Sequence, residues 1–150
     1  MMKILFVCLG NICRSPMAEF VMRDLVERAG KSGEVELSSA GTCDIEVGRP
    51  VYPPAREVIE RYGLSCTGKV ARQMTAEDYR DYDLLIAMDA KNIEDMHTMC
   101  GGDPDGKMHL LMDYTVRPGN VADPFFTRNF ECTWADIQEG CKGLMAALNL

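Results

Sequence analysis

The chain is short of basic residues, histidine, tryptophan and long apolar runs. Its 16 lysines and arginines stand against 23 aspartates and glutamates, a formal net charge of −7. A nucleic-acid partner is therefore not expected, because phosphate backbones need a basic footprint. There are two histidines, His97 and His109, set apart in the sequence. Each reads as a surface or packing residue, and no metal or other cofactor is expected. No apolar stretch approaches the ~18 residues of a membrane span, so no membrane role is expected. Met1-Met2-Lys3 runs straight into an apolar segment. That leaves no room for a signal peptide, and a cytoplasmic protein is expected.

Seven cysteines are present, an odd number, with irregular spacing and no zinc-finger pattern. At 150 residues a single domain can build a core without a disulfide framework. A reduced, intracellular chain is expected.

What the chain does have is one short stretch, Cys8-Leu9-Gly10-Asn11-Ile12-Cys13-Arg14-Ser15, followed by Pro16. It sits between the apolar run Ile4 to Val7 and a helical pattern with Ala18, Val21, Met22, Leu25, Val26 and Ala29 on one face. Proline is favoured at a first helical position, which places the helix start at Ser15-Pro16. A loop between a buried strand and a helix N-terminus turns backbone N–H groups inward and adds partial positive charge. Such a cavity suits a tetrahedral oxyanion, and Arg14 can grip two of its oxygens in a planar fork. Cys8 then lies beneath the anion, in surroundings that favour the nucleophilic thiolate. The reaction this suggests is phosphoryl transfer to Cys8, followed by hydrolysis of the thiophosphate.

Continuous apolar runs at Ile4–Val7 and Leu84–Met88 read as strands buried on both faces. Val35–Ala40 and Met108–Met112 complete four strands, with helical patterns between them. Thr75 with Asp78, and Asp89, read as helix caps. Gly48, Pro50, Pro53 and Pro54 punctuate a loop from 43 to 54. The segment Asp113 to Arg128 is long and irregular, the usual place for a functional loop. The last helix runs from Phe130 to Leu148, with Trp134 in its buried stripe.

The Cys8–Ser15 stretch resembles the active-site loop of low-molecular-weight protein tyrosine phosphatases. Asp123-Pro124 resembles that family's general-acid loop. Ser38-Ser39-Ala40-Gly41-Thr42 and Ala87-Met88-Asp89 also resemble family segments, and the likeness runs over nearly the whole chain. The resemblance implies a single-domain α/β fold spanning residues 1–150. Its architecture would be three-layer α/β/α around a four-stranded parallel sheet of order 2-1-3-4. It implies a cysteine-dependent phosphatase acting on phosphotyrosine-containing proteins, with inorganic phosphate or a similar oxyanion as product or inhibitor.

Catalysis is then expected from Cys8, Arg14 and Asp123. Leu9, Gly10, Asn11, Ile12, Cys13, Ser15, Ile45 and Phe125 are expected to bind substrate. By resemblance, Ser39 joins Asn11 and Ser15 in a network that supports the loop. The Ser15 hydroxyl can also hydrogen-bond the Cys8 sulfur as it leaves. Asp89 is expected to cap its helix, with approach to the active site as the second reading. Lys69 stands where the family usually has histidine, Ile45 where it often has an aromatic, and Phe125-Phe126 where some relatives have tyrosines. Cys13 is placed to trap an oxidised Cys8 as a disulfide.

Three alternatives stand beside this reading. An arsenate reductase on the same fold would need relay cysteines, and Cys100 has no close successor. Relatives acting on phosphoarginine typically carry a small threonine where this chain has Ile12. A non-catalytic phosphotyrosine-binding module would need neither nucleophile nor proton donor.

Overall fold

The computed structural model describes residues 1–150. Four parallel strands lie in the order β2-β1-β3-β4, as expected. They are β1 (Met2–Cys8), β2 (Val35–Gly41), β3 (Leu84–Ala87) and β4 (Met108–Leu110). Six helices surround them: α1 (Arg14–Arg28), α2 (Pro53–Arg61), α3 (Ala76–Asp81), α4 (Ala90–Cys100), α5 (Pro124–Thr127) and α6 (Phe130–Ala147).

The unbroken apolar run of β1 follows from its central position. Ile4 and Phe6 face a core shared with α1, α2 and α6, through Met17, Val21, Ile59, Trp134 and Ile137. Leu5 and Val7 face the opposite core, with Met74, Tyr79, Leu85 and Met96. Side chains alternate across a strand, so a strand covered on both faces needs apolar residues at every position.

Four local expectations are corrected. Helix α1 begins at Arg14 rather than at Ser15-Pro16, so Pro16 is its third residue. A proline is tolerated there because the first-turn N–H groups have no intrahelical partner. The fourth strand ends at Leu110 and turns into a 3-10 segment, Leu111–Tyr114. That turn packs against α6 at Gly140 and Gly143, where an added Cβ would collide with the Leu111 side chain and the Tyr114 carbonyl. Pro53 and Pro54, expected as loop punctuation, form the first turn of α2. The acid segment, expected to be irregular throughout, contains the single helical turn α5, capped by Asp123.

The carboxyl ends of β1, β2 and β3 converge, the place where open α/β sheets bind ligands. Gly41 is what lets them meet. A Cβ at that position would lie 2.7 Å from the Leu9 carbonyl oxygen and 3.0 Å from the Gly10 carbonyl carbon.

Candidate active site

The loop from Cys8 to Ser15 has an unusual hydrogen-bond account. The Asn11 N–H points at the Cys8 Sγ, 3.3 Å away. The N–H groups of Leu9, Gly10, Ile12, Cys13, Arg14 and Ser15 donate to no acceptor in the protein. Buried backbone donors are nearly always paired, so a cluster of free ones around a buried sulfur leaves donors for an acceptor from outside the protein. The Ser15 Oγ lies 3.0 Å from the Cys8 Sγ.

Asn11 holds this shape together. It has φ 58°, in the left-handed region that costs a non-glycine residue energy. Its side chain supplies compensating bonds. The Asn11 Nδ2 donates to the Ser15 Oγ at 2.8 Å and to the Ser39 Oγ at 3.0 Å. Its Oδ1 accepts from the Arg72 N–H at 3.0 Å. The expected network of Asn11, Ser15 and Ser39 is therefore present.

Below that network lie groups that the sequence reading did not assign to the site. The Ser39 hydroxyl donates to the buried Glu19 Oε1 at 2.6 Å, and Arg23 donates to the Glu19 Oε2 at 2.6 Å. The Lys69 Nζ donates to the Ser39 carbonyl at 3.0 Å and lies 3.8 Å from the Glu19 carboxylate. Lysine here supports the loop from the position where the family usually has histidine. Burial holds the Lys69 ammonium below its ordinary pKa, with Glu19 opposing and Arg72 reinforcing. Glu19 left no motif in the sequence, and Lys69 showed only as a departure from the family's histidine, because the two belong to α1 and to an extended segment 50 residues apart.

Arg14 is 2% exposed and joins three elements. Its Nη1 donates to the Asp89 Oδ2 at 2.6 Å and to the Val121 carbonyl at 2.9 Å. Its Nη2 donates to the Asp123 Oδ2 at 3.3 Å. Burial works against the Arg14 charge. The negative charge at Cys8, the Asp89 hydrogen bond and the Asp123 carboxylate outweigh it and hold the guanidinium more firmly protonated than usual. Asp89 takes both places, the expected cap and the second reading's approach to the site, since its Oδ1 also accepts from the Asn92 N–H at 2.8 Å and caps α4.

A cavity of about 120 Å³ opens above the loop. It is lined by Cys8, Leu9, Gly10, Ile12, Cys13 and Arg14 on the floor, with Asp123 and Phe125 beside them and Ile45 and Phe126 at the rim. Every expected catalytic residue lines it, and so do the expected wall residues Ile12, Ile45 and Phe125. Asn11, Ser15 and Ser39 stand behind the lining as supports. Cys43 and Glu46 also line the cavity, and neither was expected there. Their approach depends on the bond from the Cys43 N–H to the Leu9 carbonyl, 3.1 Å, which ties the 43–54 loop to the anion loop. Burial pushes the Cys13 thiol well up, the negative charges of Cys8 and Asp123 add to this, and Arg14 and Arg128 oppose it.

Comparison with known proteins agrees with this arrangement. The family model described as "Low molecular weight phosphotyrosine protein phosphatase" matches residues 3–150. The low molecular weight protein-tyrosine-phosphatase YfkJ of Bacillus subtilis is 41% identical over 150 residues, covering 99% of this chain and 96% of the relative. The crystal structure of YfkJ superposes with a TM-score of 0.96 at 40% identity, covering 99% of this chain and 95% of that one. SP-PTP, a low molecular weight protein tyrosine phosphatase from Streptococcus pyogenes, gives 0.88 at 36% identity, with 99% and 93% covered. A Drosophila arginine phosphatase gives 0.92 at 29% identity, with 99% of each chain covered. A thiol ringed by free amides, a match along almost the whole length and a superposable fold lead to one conclusion: this chain belongs to the low molecular weight protein tyrosine phosphatases and hydrolyses phosphotyrosine by cysteine-dependent chemistry.

Proposed function

We propose that Cys8, Arg14 and Asp123 divide the chemistry as nucleophile, charge balance and proton donor. The observation that carries this is the set of unpaired N–H groups from Leu9 to Ser15 around the Cys8 sulfur, with Arg14 and Asp123 in the same cavity.

Substrate phosphate docks on these N–H groups, and its dianion competes with Asp89 and Asp123 for the Arg14 fork. The Cys8 thiolate attacks phosphorus and forms the S–P bond while the P–O bond to the tyrosine breaks. Asp123, as the acid, gives its proton to the departing phenolic oxygen. A positioned donor of this kind typically contributes 10²–10⁴-fold. The N–H groups and Arg14 stabilise charge spread over the equatorial oxygens. Water then attacks phosphorus and yields its proton to the Asp123 carboxylate. The S–P bond breaks, inorganic phosphate leaves, and the Ser15 hydroxyl, 3.0 Å away, supports the returning thiolate.

Ile12, Ile45 and Phe125 give the cavity apolar walls suited to a flat phenyl ring. The protein partners are phosphotyrosine-containing substrates, and inorganic phosphate would compete as a product inhibitor. The test is a panel of phosphotyrosine, phosphoserine and phosphoarginine peptides, with Cys8→Ser and Asp123→Ala beside the wild type. Phosphotyrosine should be hydrolysed preferentially. Cys8→Ser should lose turnover yet still bind an oxyanion. Asp123→Ala should slow poor aryl leaving groups far more than good ones. Equal slowing across a leaving-group series would remove Asp123 from the mechanism.

A further inference from the structure

The helix that carries the acid is a single turn, Pro124–Thr127, with Asp123 as its cap. One isolated turn cannot hold itself, because nucleating a helix costs more than its few bonds return. Asp123 therefore depends on outside contacts. One of them, the bond from Arg14 at 3.3 Å, engages the same guanidinium that a bound phosphate recruits. Ahead of Asp123 the Val121 N–H donates to the Met88 carbonyl at 2.8 Å and the Thr133 Oγ1 to the Ala122 carbonyl at 3.2 Å, and behind it the turn is held by Arg128.

Arg128 closes α5 in the left-handed conformation, φ 61°, and its N–H donates to the Pro124 carbonyl at 2.9 Å. Its guanidinium lies 5.4 Å from the ring centres of both Tyr52 and Phe130. The Nη1 donates to the Tyr52 hydroxyl at 3.1 Å and to the Phe125 carbonyl at 3.4 Å. Tyr52 in turn is tied to the anion loop, since its N–H donates to the Ile12 carbonyl at 2.9 Å. Its ring packs on Phe125 with centres 5.3 Å apart. A continuous set of contacts thus runs from Ile12, four residues after the nucleophile, through Tyr52 and Arg128 to the turn that begins at Asp123.

We propose that Tyr52 and Arg128 are positioning residues that hold Asp123 over the Cys8 loop once substrate has drawn Arg14 away. Neither touches the reacting atoms, and both act through Asp123. The inference rests on Asp123 being the proton donor. It extends that role to a brace between the two loops, whose span sets how well the donor reaches the leaving oxygen. A misplaced donor costs most when the leaving group most needs its proton.

The test is kcat/KM across a series of aryl phosphates for Arg128→Asn and Tyr52→Phe, each alone and in an Asp123→Ala background. Asparagine tolerates the left-handed backbone, and phenylalanine keeps the ring while losing the hydroxyl. Arg128→Asn should lower kcat/KM about tenfold for phenyl phosphate, part of the full effect of a positioned donor. It should have little effect on the best leaving groups. Tyr52→Phe should act in the same direction but more weakly. In the Asp123→Ala background neither should cost anything further, because interacting residues are non-additive. A loss uniform across the series, a loss that persists without Asp123, or no loss at all overturns the proposal. Should Asp123→Ala itself show no leaving-group dependence, the donor assignment and this inference fall together. Should it show that dependence while Arg128→Asn is flat, only the brace fails.

Discussion

The Asp89 carboxylate holds Arg14 with one oxygen and caps α4 with the other, at 2.6 and 2.8 Å. A helix cap at the end of β3 is thereby made into an orienting contact for the guanidinium of the anion site. The capping requirement keeps the carboxylate still, and a still carboxylate keeps Arg14 from the other rotamers open to a long side chain.

These two duties separate in Asp89→Asn. Asparagine caps helices about as well as aspartate, so the melting temperature should stay close to wild type. The charge opposite Arg14 is lost, and kcat/KM for an aryl phosphate should fall, by up to about 10²-fold if the guanidinium shifts by an ångström. Asp89→Ala should show the same kinetic loss plus about 1 kcal/mol of lost capping. Unchanged kinetics in Asp89→Asn would mean that Arg14 is oriented by Val121 and Asp123 alone.

Gly41 has no slack against the anion loop. In Gly41→Ala the new methyl group meets the Leu9 carbonyl oxygen at 2.7 Å, a backbone atom that cannot swing aside. Overpacking of this kind costs about 1–3 kcal/mol. The displaced loop should also bind inorganic phosphate more weakly. Chemical denaturation and phosphate titration check the two effects, and wild-type phosphate affinity would show that the loop yields without losing its shape.

Lys69 makes the stability of the support network depend on pH. Burial places its folded-state pKa below its ordinary value of 10.5. Between the lowered value and 10.5 the unfolded chain binds the extra proton, so stability rises with pH in that window. Below the window the full penalty of the buried ammonium applies. The unfolding free energy of wild type relative to Lys69→Met should therefore move in favour of wild type from neutral to alkaline pH. A difference that stays flat, or moves the other way, would mean that Lys69 is not desolvated in the folded protein.

Cys13 bears on oxidation. If Cys13 traps an oxidised Cys8, peroxide would convert the Cys8 thiolate to a sulfenic acid, and attack by the Cys13 sulfur would form the disulfide and expel hydroxide, reversibly with thiols. Burial pushes the Cys13 thiol upward and makes its thiolate scarce. Disulfide yield after peroxide should therefore rise from neutral to alkaline pH, as read by mass mapping. Irreversibly oxidised Cys8 beside reduced Cys13 would remove Cys13 from this role.

The anion loop and the sheet were legible in the sequence for a local reason. A strand buried on both faces must be apolar at every position, and Ile4–Val7 and Leu84–Met88 are. The residues that shape the anion cradle are contiguous from Cys8 to Ser15, so their order in the chain displays their geometry. Asp89 could be read as a cap because capping is a relation between neighbours. The single turn after Asp123 was hidden because four residues carry too little periodicity to register.

The amino-acid order alone displayed the strand–loop–helix unit with Cys8 and Arg14 in one loop, and four strands between helices, because each rests on contacts between near neighbours or on one repeating pattern; the sheet order came from the family resemblance. Only the folded chain decided that Lys69 and Glu19 underpin Ser39, that Asp89 and Asp123 share Arg14, and that Tyr52 meets Arg128 76 positions away. Those pairings are made by side chains from separate elements. They come within hydrogen-bond reach only when the strand ends converge, and no local propensity encodes such a meeting.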